Sequence, residues 1–121
     1  LLVANIYGTG SKGKATRLHA LIIRDYGKCM KCGHTDSLQC AHIISRKYGH
    51  TRTDLDNAFC LCASCHMYFT DNPVEFGQFT IDQIGEDNYQ ALIVKRRTTS
   101  KMDWDEEAGR LLMIAQERGL V

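Results

Sequence analysis

The sequence predicts an α+β fold: two short strands and a helix clipped together by four cysteines, with further helices on both flanks. Three observations predict it. Four of the six cysteines form two Cys-x-x-Cys pairs, Cys29/Cys32 and Cys62/Cys65. Between the pairs lie two short strand-like runs, and outside them apolar residues recur at helical spacing. A length of 121 residues leaves room for one domain with a short appendage. Hydrophobic residues at 44% and charged residues at 24% exclude disordered and collagen-like chains. The apolar runs are too short to span a membrane, and no basic-apolar-small pattern marks a secretory signal.

The chain opens with an apolar run, Leu1–Tyr7, and a glycine-rich basic stretch, Gly8–Lys14. Residues 1–15 therefore read as a flexible arm. A helix is predicted over Thr16–Tyr26, with Leu18, Leu21 and Ile22 on its apolar side, Thr16 as cap and Gly27 as stop. The knuckle Cys29–His34 follows, then a strand over Ser37–Ile44, a polar basic loop over Ser45–Asp56, and a strand over Ala58–Leu61. The next helix carries Cys65, His66 and Phe69, so residues 16–72 form the predicted core.

Residues 73–121 read as a helical extension packed on that core. Asn72-Pro73-Val74-Glu75 has the form of a helix start, with Asn as cap and Pro at the first position. Tyr89, Leu92 and Ile93 share one face of a further helix. Trp104, Ala108, Leu111, Leu112 and Ala115 form the stripe of a last one, capped by Asp103 with Glu106 and ended near Gly119.

Gly8-x-x-x-x-Gly13-Lys14 superficially resembles a phosphate-binding loop. That motif needs Ser or Thr directly after the Lys to hold magnesium, and Ala15 stands there. The chain is also too short for the parallel sheet such loops serve. A flexible basic arm is the reading preferred to nucleotide hydrolysis on these grounds.

Two residues between paired thiolates let both sulfurs reach one tetrahedral ion at ~2.3 Å. Grouping of this kind points to metal ligation in a reducing compartment, with disulfides or buried thiols as the alternatives. Zinc closed by Cys29, Cys32, Cys62 and Cys65 has no open position and is structural. Cys40 and Cys60, one in each strand, read as small apolar residues. His19, His34 and His50 have no motif around them and read as surface or loop residues.

The informative order is Cys29-x-x-Cys32, Ala41-His42-Ile43-Ile44, Asn57, and Leu61-Cys62-x-x-Cys65-His66. A shared ion would clamp both strands to the following helix, so His42 and His66 would face one cleft. In this order the chain resembles the HNH endonucleases, with their ββα-metal (His-Me finger) core in its knuckle-flanked form. It resembles most closely the small phage-encoded members, through Ser45-Arg46, Thr51-Arg52-x-Asp54-Leu55-Asp56-Asn57 and Tyr68-Phe69-Thr70-Asp71-Asn72-Pro73.

The resemblance implies a metal-dependent DNA endonuclease that leaves 5′-phosphate and 3′-hydroxyl ends. It implies His42 as general base, His66 as ligand of a catalytic Mg2+ or Mn2+, and Asn57 as the residue fixing the loop that orients His42. Such a base is chemically reasonable, since imidazole titrates near ~6.5. It further implies DNA as partner, a bacterial host cytoplasm, and a phage packaging or recombination partner. Cutting both strands with one site favours a homodimer or sequential nicking. Many members carry Asp or His before the base, where this chain has Ala41, and Thr70 stands where some have another His. Water and phosphate then complete the ion's shell, or His42 itself ligates it, or activity is weak or lost.

Net charge is only +1, so local clustering matters more than the sum. Arg46, Lys47 and Arg52, with His50, stand where a loop beside the site would track phosphates. Lys95–Arg97 form a second patch and Lys12, Lys14 and Arg17 a third. No recognition helix declares itself, so contacts to phosphate and shape are expected. The alternatives are a non-catalytic zinc-stabilised nucleic-acid-binding module with a decayed site, and a zinc-clipped protein-interaction domain.

Overall fold

The structure, a computed structural model, describes residues 9–121, so the run Leu1–Tyr7 and Gly8 lie outside the described residues. The elements run α1 (Gly10–Arg24), β1 (Leu38–His42), α2 (Gly49–Arg52), β2 (Ala58–Cys62), α3 (Ala63–Asp71), α4 (Pro73–Ile84), α5 (Glu86–Arg96) and α6 (Trp104–Glu117). The fold is α+β, with a two-stranded antiparallel sheet at its centre.

The strands pair in the register Leu38 with Cys62, Cys40 with Cys60, Ala41 with Phe59, and His42 with Ala58. Alternate side chains of a strand leave on opposite faces. Ala41 and Phe59 join Leu61 and Phe69 in one buried cluster, against which Phe76 and Phe79 of α4 pack. Phe79 lies 5.1 Å from Phe59 edge-on and 4.9 Å from Phe69, spacings at which aromatic pairs attract beyond their buried area. Cys40 and His42, one residue to either side of Ala41, turn the other way, toward α1.

A second cluster joins the two ends of the chain. Ala15, Leu18 and Ile22 of α1 meet Ala108, Leu111 and Ala115 of α6. Both stripes have the spacing i, i+3, i+7, which places them on one side of each helix. The alanines let the two backbones approach. Asp103 caps α6, its carboxylate accepting from the Glu106 N–H at 3.0 Å, and Gly119 closes the helix in the left-handed region at φ 69°, as the sequence predicts.

Three local expectations need correction. The first helix begins at Gly10, so Lys12, Gly13 and Lys14 lie in its opening turns and not in a mobile stretch. Thr16 is consequently interior; its hydroxyl donates back to the Lys12 carbonyl at 2.8 Å, a bond any mid-helix threonine can make. The loop over Ser45–Asp56 contains the short helix α2. Asn72 precedes α4 but its side chain does not cap it, donating to the Tyr68 carbonyl of α3 at 2.8 Å.

Leu111 is fully buried between α1 and α6. Leu111→Ala should lower unfolding free energy in urea by about 2–5 kcal/mol. The neighbouring exposed Met113→Ala should stay within about 0.5 kcal/mol of wild type.

Candidate active site and metal centre

The four paired cysteines come together. Their sulfurs lie within 4.8 Å of one another, and Cys32 Sγ is 3.7 Å from Cys62 Sγ. Tetrahedral thiolates at ~2.3 Å from zinc stand about 3.8 Å apart, so the cluster already has the spacing of a four-thiolate site. The first knuckle turns on Gly33, whose φ of 81° suits glycine, with its N–H donating to the Cys29 carbonyl at 2.9 Å. Burial pushes the Cys29 thiol up, but the amides of Cys62, Cys32 and Lys31 override it and bring the thiol down to about 6. A group so placed readily gives the thiolate a metal requires.

Asn57 is fully buried and spends its whole carboxamide. Its Oδ1 accepts from the Ile44 N–H at 2.7 Å, and its Nδ2 donates to the carbonyls of Ile44 at 3.0 Å and Thr51 at 2.9 Å. The end of β1 is thereby tied to α2. Arg52, the last residue of α2, turns its carbonyl to His42 Nε2 at 2.8 Å. A carbonyl only accepts, so Nε2 carries the proton and Nδ1 keeps the lone pair. Burial pushes the His42 imidazole down to about 4, with Arg46 and Arg52 adding to the effect. His42 is therefore neutral at physiological pH.

His66, on α3, faces the same cleft as His42. Its Nδ1 donates to Gln39 Oε1 at 2.7 Å, which leaves Nε2 for a ligand. The cleft, about 550 Å³, is lined by Gln39, Cys40, His42 and Arg46, by Arg24 of α1 and by His66. Among the described residues no carboxylate lines it. Ala41 is 1% exposed and belongs to the aromatic cluster on the far face of the sheet. Thr70 Oγ1 is bonded to the His66 carbonyl within its own helix. An imidazole without carboxylates suits a transition-metal ion better than magnesium.

Two further residues stand beside His42. His19, expected at the surface, is fully buried in α1, its ring centroid 5.1 Å from that of His42. Cys40, expected to pack as an apolar residue, lines the cleft with its Sγ 3.8 Å from His19 Nδ1. Cys60 is buried as expected. The separation of two between Cys40 and His42 signals a shared strand face. Nothing in the sequence places His19 there, because that depends on how α1 crosses the sheet.

Residues 29–81 match the family model for the HNH endonucleases. The likeness covers a little under half of the chain. No curated protein and no solved structure matches the chain. The HNH segment contains both knuckles, both strands, α3 and most of α4; α1, with His19, and α5 and α6 lie outside it. No described helix is long and apolar enough to cross a membrane.

Beside the HNH cleft the basic patches converge. A groove of about 340 Å³ is lined by Lys12 of α1, Lys47 and Tyr48 of the inter-strand loop, Arg96 of α5, and Lys101 and Trp104 near the start of α6. Lys47 and Arg96 lie 5.1 and 5.3 Å from the Tyr48 ring, and Lys12 5.8 Å from Trp104. Other basic residues are engaged within the fold. Lys95 pairs with Asp54 at 2.6 Å. Arg52 donates through Nε to Thr16 Oγ1 at 2.8 Å and through a terminal nitrogen to the Arg46 carbonyl at 3.1 Å.

Asn57→Ala would leave two buried carbonyls and one N–H short of a partner. Each costs about 1–3 kcal/mol, so a loss of at least ~3 kcal/mol is expected in chemical denaturation. Followed by NMR, the His42 imidazole should take up its proton near pH 4 and remain neutral through pH 6–8, whereas an unfolded-chain histidine titrates near ~6.5. Because the folded form binds the proton less tightly, this residue withdraws stability as pH falls from about 6.5 toward 4.

Proposed function

We propose that the protein is a DNA endonuclease in which His42 is the general base. The observation that carries this reading is the Arg52 carbonyl at His42 Nε2, which leaves Nδ1 as a neutral acceptor in a cleft beside Arg46 and His66. Residues 16–72 form the nuclease core in this reading, and the helices of 73–121 brace it.

The DNA backbone lies across the cleft, with Arg46 and Lys47 against its phosphates. It continues into the groove lined by Lys12, Tyr48, Arg96 and Lys101, which supplies positive charge and two aromatic rings. Contacts of this kind hold phosphate and shape and read little sequence. Arg52, tied to Thr16, serves by holding the loop in place.

His42 Nδ1 accepts a proton from a water molecule in line with the scissile phosphorus. The oxygen–phosphorus bond forms as the bond to the 3′ oxygen breaks, leaving a 5′-phosphate and a 3′-hydroxyl. Asn57 keeps the Arg52 carbonyl, and with it the His42 ring, in position. His66 Nε2 would hold a divalent ion, with water and phosphate oxygens as its remaining ligands; such an ion stabilises charge on the phosphate and on the departing oxygen. The donor set favours manganese or another imidazole-binding ion over magnesium.

A second reading, a non-catalytic nucleic-acid-binding module, is favoured by the burial of Ala41, which leaves His66 as the sole donor of the usual kind. Supercoiled plasmid separates the two. Cleavage is expected with Mn2+, weaker with Mg2+ and absent with chelator, and His42→Ala should slow it about 10²–10⁴-fold with DNA affinity unchanged. Intact plasmid in every metal, with DNA still bound in a salt-dependent manner, would establish the binding module instead.

A further inference from the structure

We propose that His19, Cys40 and His42 form a second transition-metal site, separate from the four-cysteine cluster, and that a zinc ion bound there switches the nuclease off. The donor atoms of the three residues lie within 4.8 Å of one another. They come from two elements, α1 and β1.

The tautomers are set for ligation. His19 Nε2 lies 2.8 Å from the Asp54 carbonyl and His42 Nε2 lies 2.8 Å from the Arg52 carbonyl. Both Nε2 atoms therefore carry protons, and both Nδ1 atoms keep lone pairs. Backbone carbonyls behind ligating imidazoles are the usual outer support of such sites, fixing tautomer and ring orientation. His19 Nδ1 already stands 3.8 Å from Cys40 Sγ. Nitrogens at ~2.0–2.1 Å and a sulfur at ~2.3 Å from zinc stand about 3.3–3.6 Å apart, so side-chain rotations of well under a turn close the cluster on an ion.

The donor set selects the metal. Two imidazoles and a thiolate suit zinc or cobalt, and they suit magnesium and manganese poorly. Cys40 and His42 both line the cleft, so a fourth position stays open to water. Coordination releases the Cys40 thiol proton to solvent and occupies the His42 Nδ1 lone pair. An imidazole bound in this way no longer accepts a proton from water. The metal-binding half of the proposal stands by itself; the inhibitory half rests on His42 being the base.

The test starts from protein dialysed to one tightly held zinc per chain, titrated with Co2+ and then with Zn2+. Wild type should bind a second equivalent and develop a thiolate-to-cobalt charge-transfer absorption. Cys40→Ser should lose that absorption while keeping the first zinc, and His19→Gln should weaken the second equivalent at least about tenfold. Saturation at one equivalent in wild type, or an unchanged cobalt spectrum in Cys40→Ser, would overturn the site. In manganese-supported plasmid cleavage, added zinc should inhibit wild type at concentrations at least about tenfold below those needed for Cys40→Ser. Equal zinc sensitivity of the two would overturn the inhibitory role. Absence of cleavage in every metal sinks the nuclease reading and its inhibition together, and the cobalt titration still decides whether the site exists.

Discussion

The carboxamide of Asn57 is the interaction on which the site depends. A loop of fifteen residues separates β1 from β2, and it is held by three hydrogen bonds to one fully buried side chain. A chain of this length without a sheet of its own would otherwise be the most mobile part of the molecule. With Asn57 in place, Ile44 and Thr51 are fixed relative to one another, and the Arg52 carbonyl is carried to the His42 ring. Thr51 and Thr53 are buried in the same loop, and Thr53 donates to Glu107, which also receives Arg110 in a two-point pair. The loop is thus a packed element, with α6 as its outer support.

Two clusters of different chemistry hold the rest. On one face of the sheet, the knuckle cysteines and four phenylalanines join β1 and β2 to α3 and α4. On the other side, two narrow stripes of alanine, leucine and isoleucine join α1 to α6. The cleft lies where α1 meets the sheet, so its floor belongs to the HNH segment and part of its wall to α1 outside it. This division explains why His42 and His66 face a cleft also lined by Arg24.

The cleft's charge has a chemical consequence. Among the described residues it carries arginines and neutral imidazoles and no carboxylate. A hard ion finds few oxygen ligands there, whereas an anionic phosphate meets positive charge. His42 is held by a backbone carbonyl and His66 by the Gln39 side chain, so each ring keeps one nitrogen with a free lone pair.

Much of the fold was legible in the sequence because it rests on short-range rules. The two short strands, the helical stripe at 104–115, the Asp103 cap and the closeness of the cysteines within each Cys-x-x-Cys pair are local, and the structure has each of them. The spacing of His42, Asn57 and His66 pointed to the HNH family, and residues 29–81 match it. What the sequence left open depends on packing between distant segments. Gly10–Lys14 is rich in glycine and lysine and reads as an arm, but it continues a helix whose next turns dock on α6. Arg52 reads as a phosphate contact from sequence, and its Nε also reaches Thr16, thirty-six residues earlier in the chain. His19 has no motif around it and becomes a neighbour of His42 only because α1 crosses the sheet at that point. Local sequence determined the elements and the order of the chemical groups; the docking of α1, through apolar contacts that carry no local signature, decided which groups share the cleft.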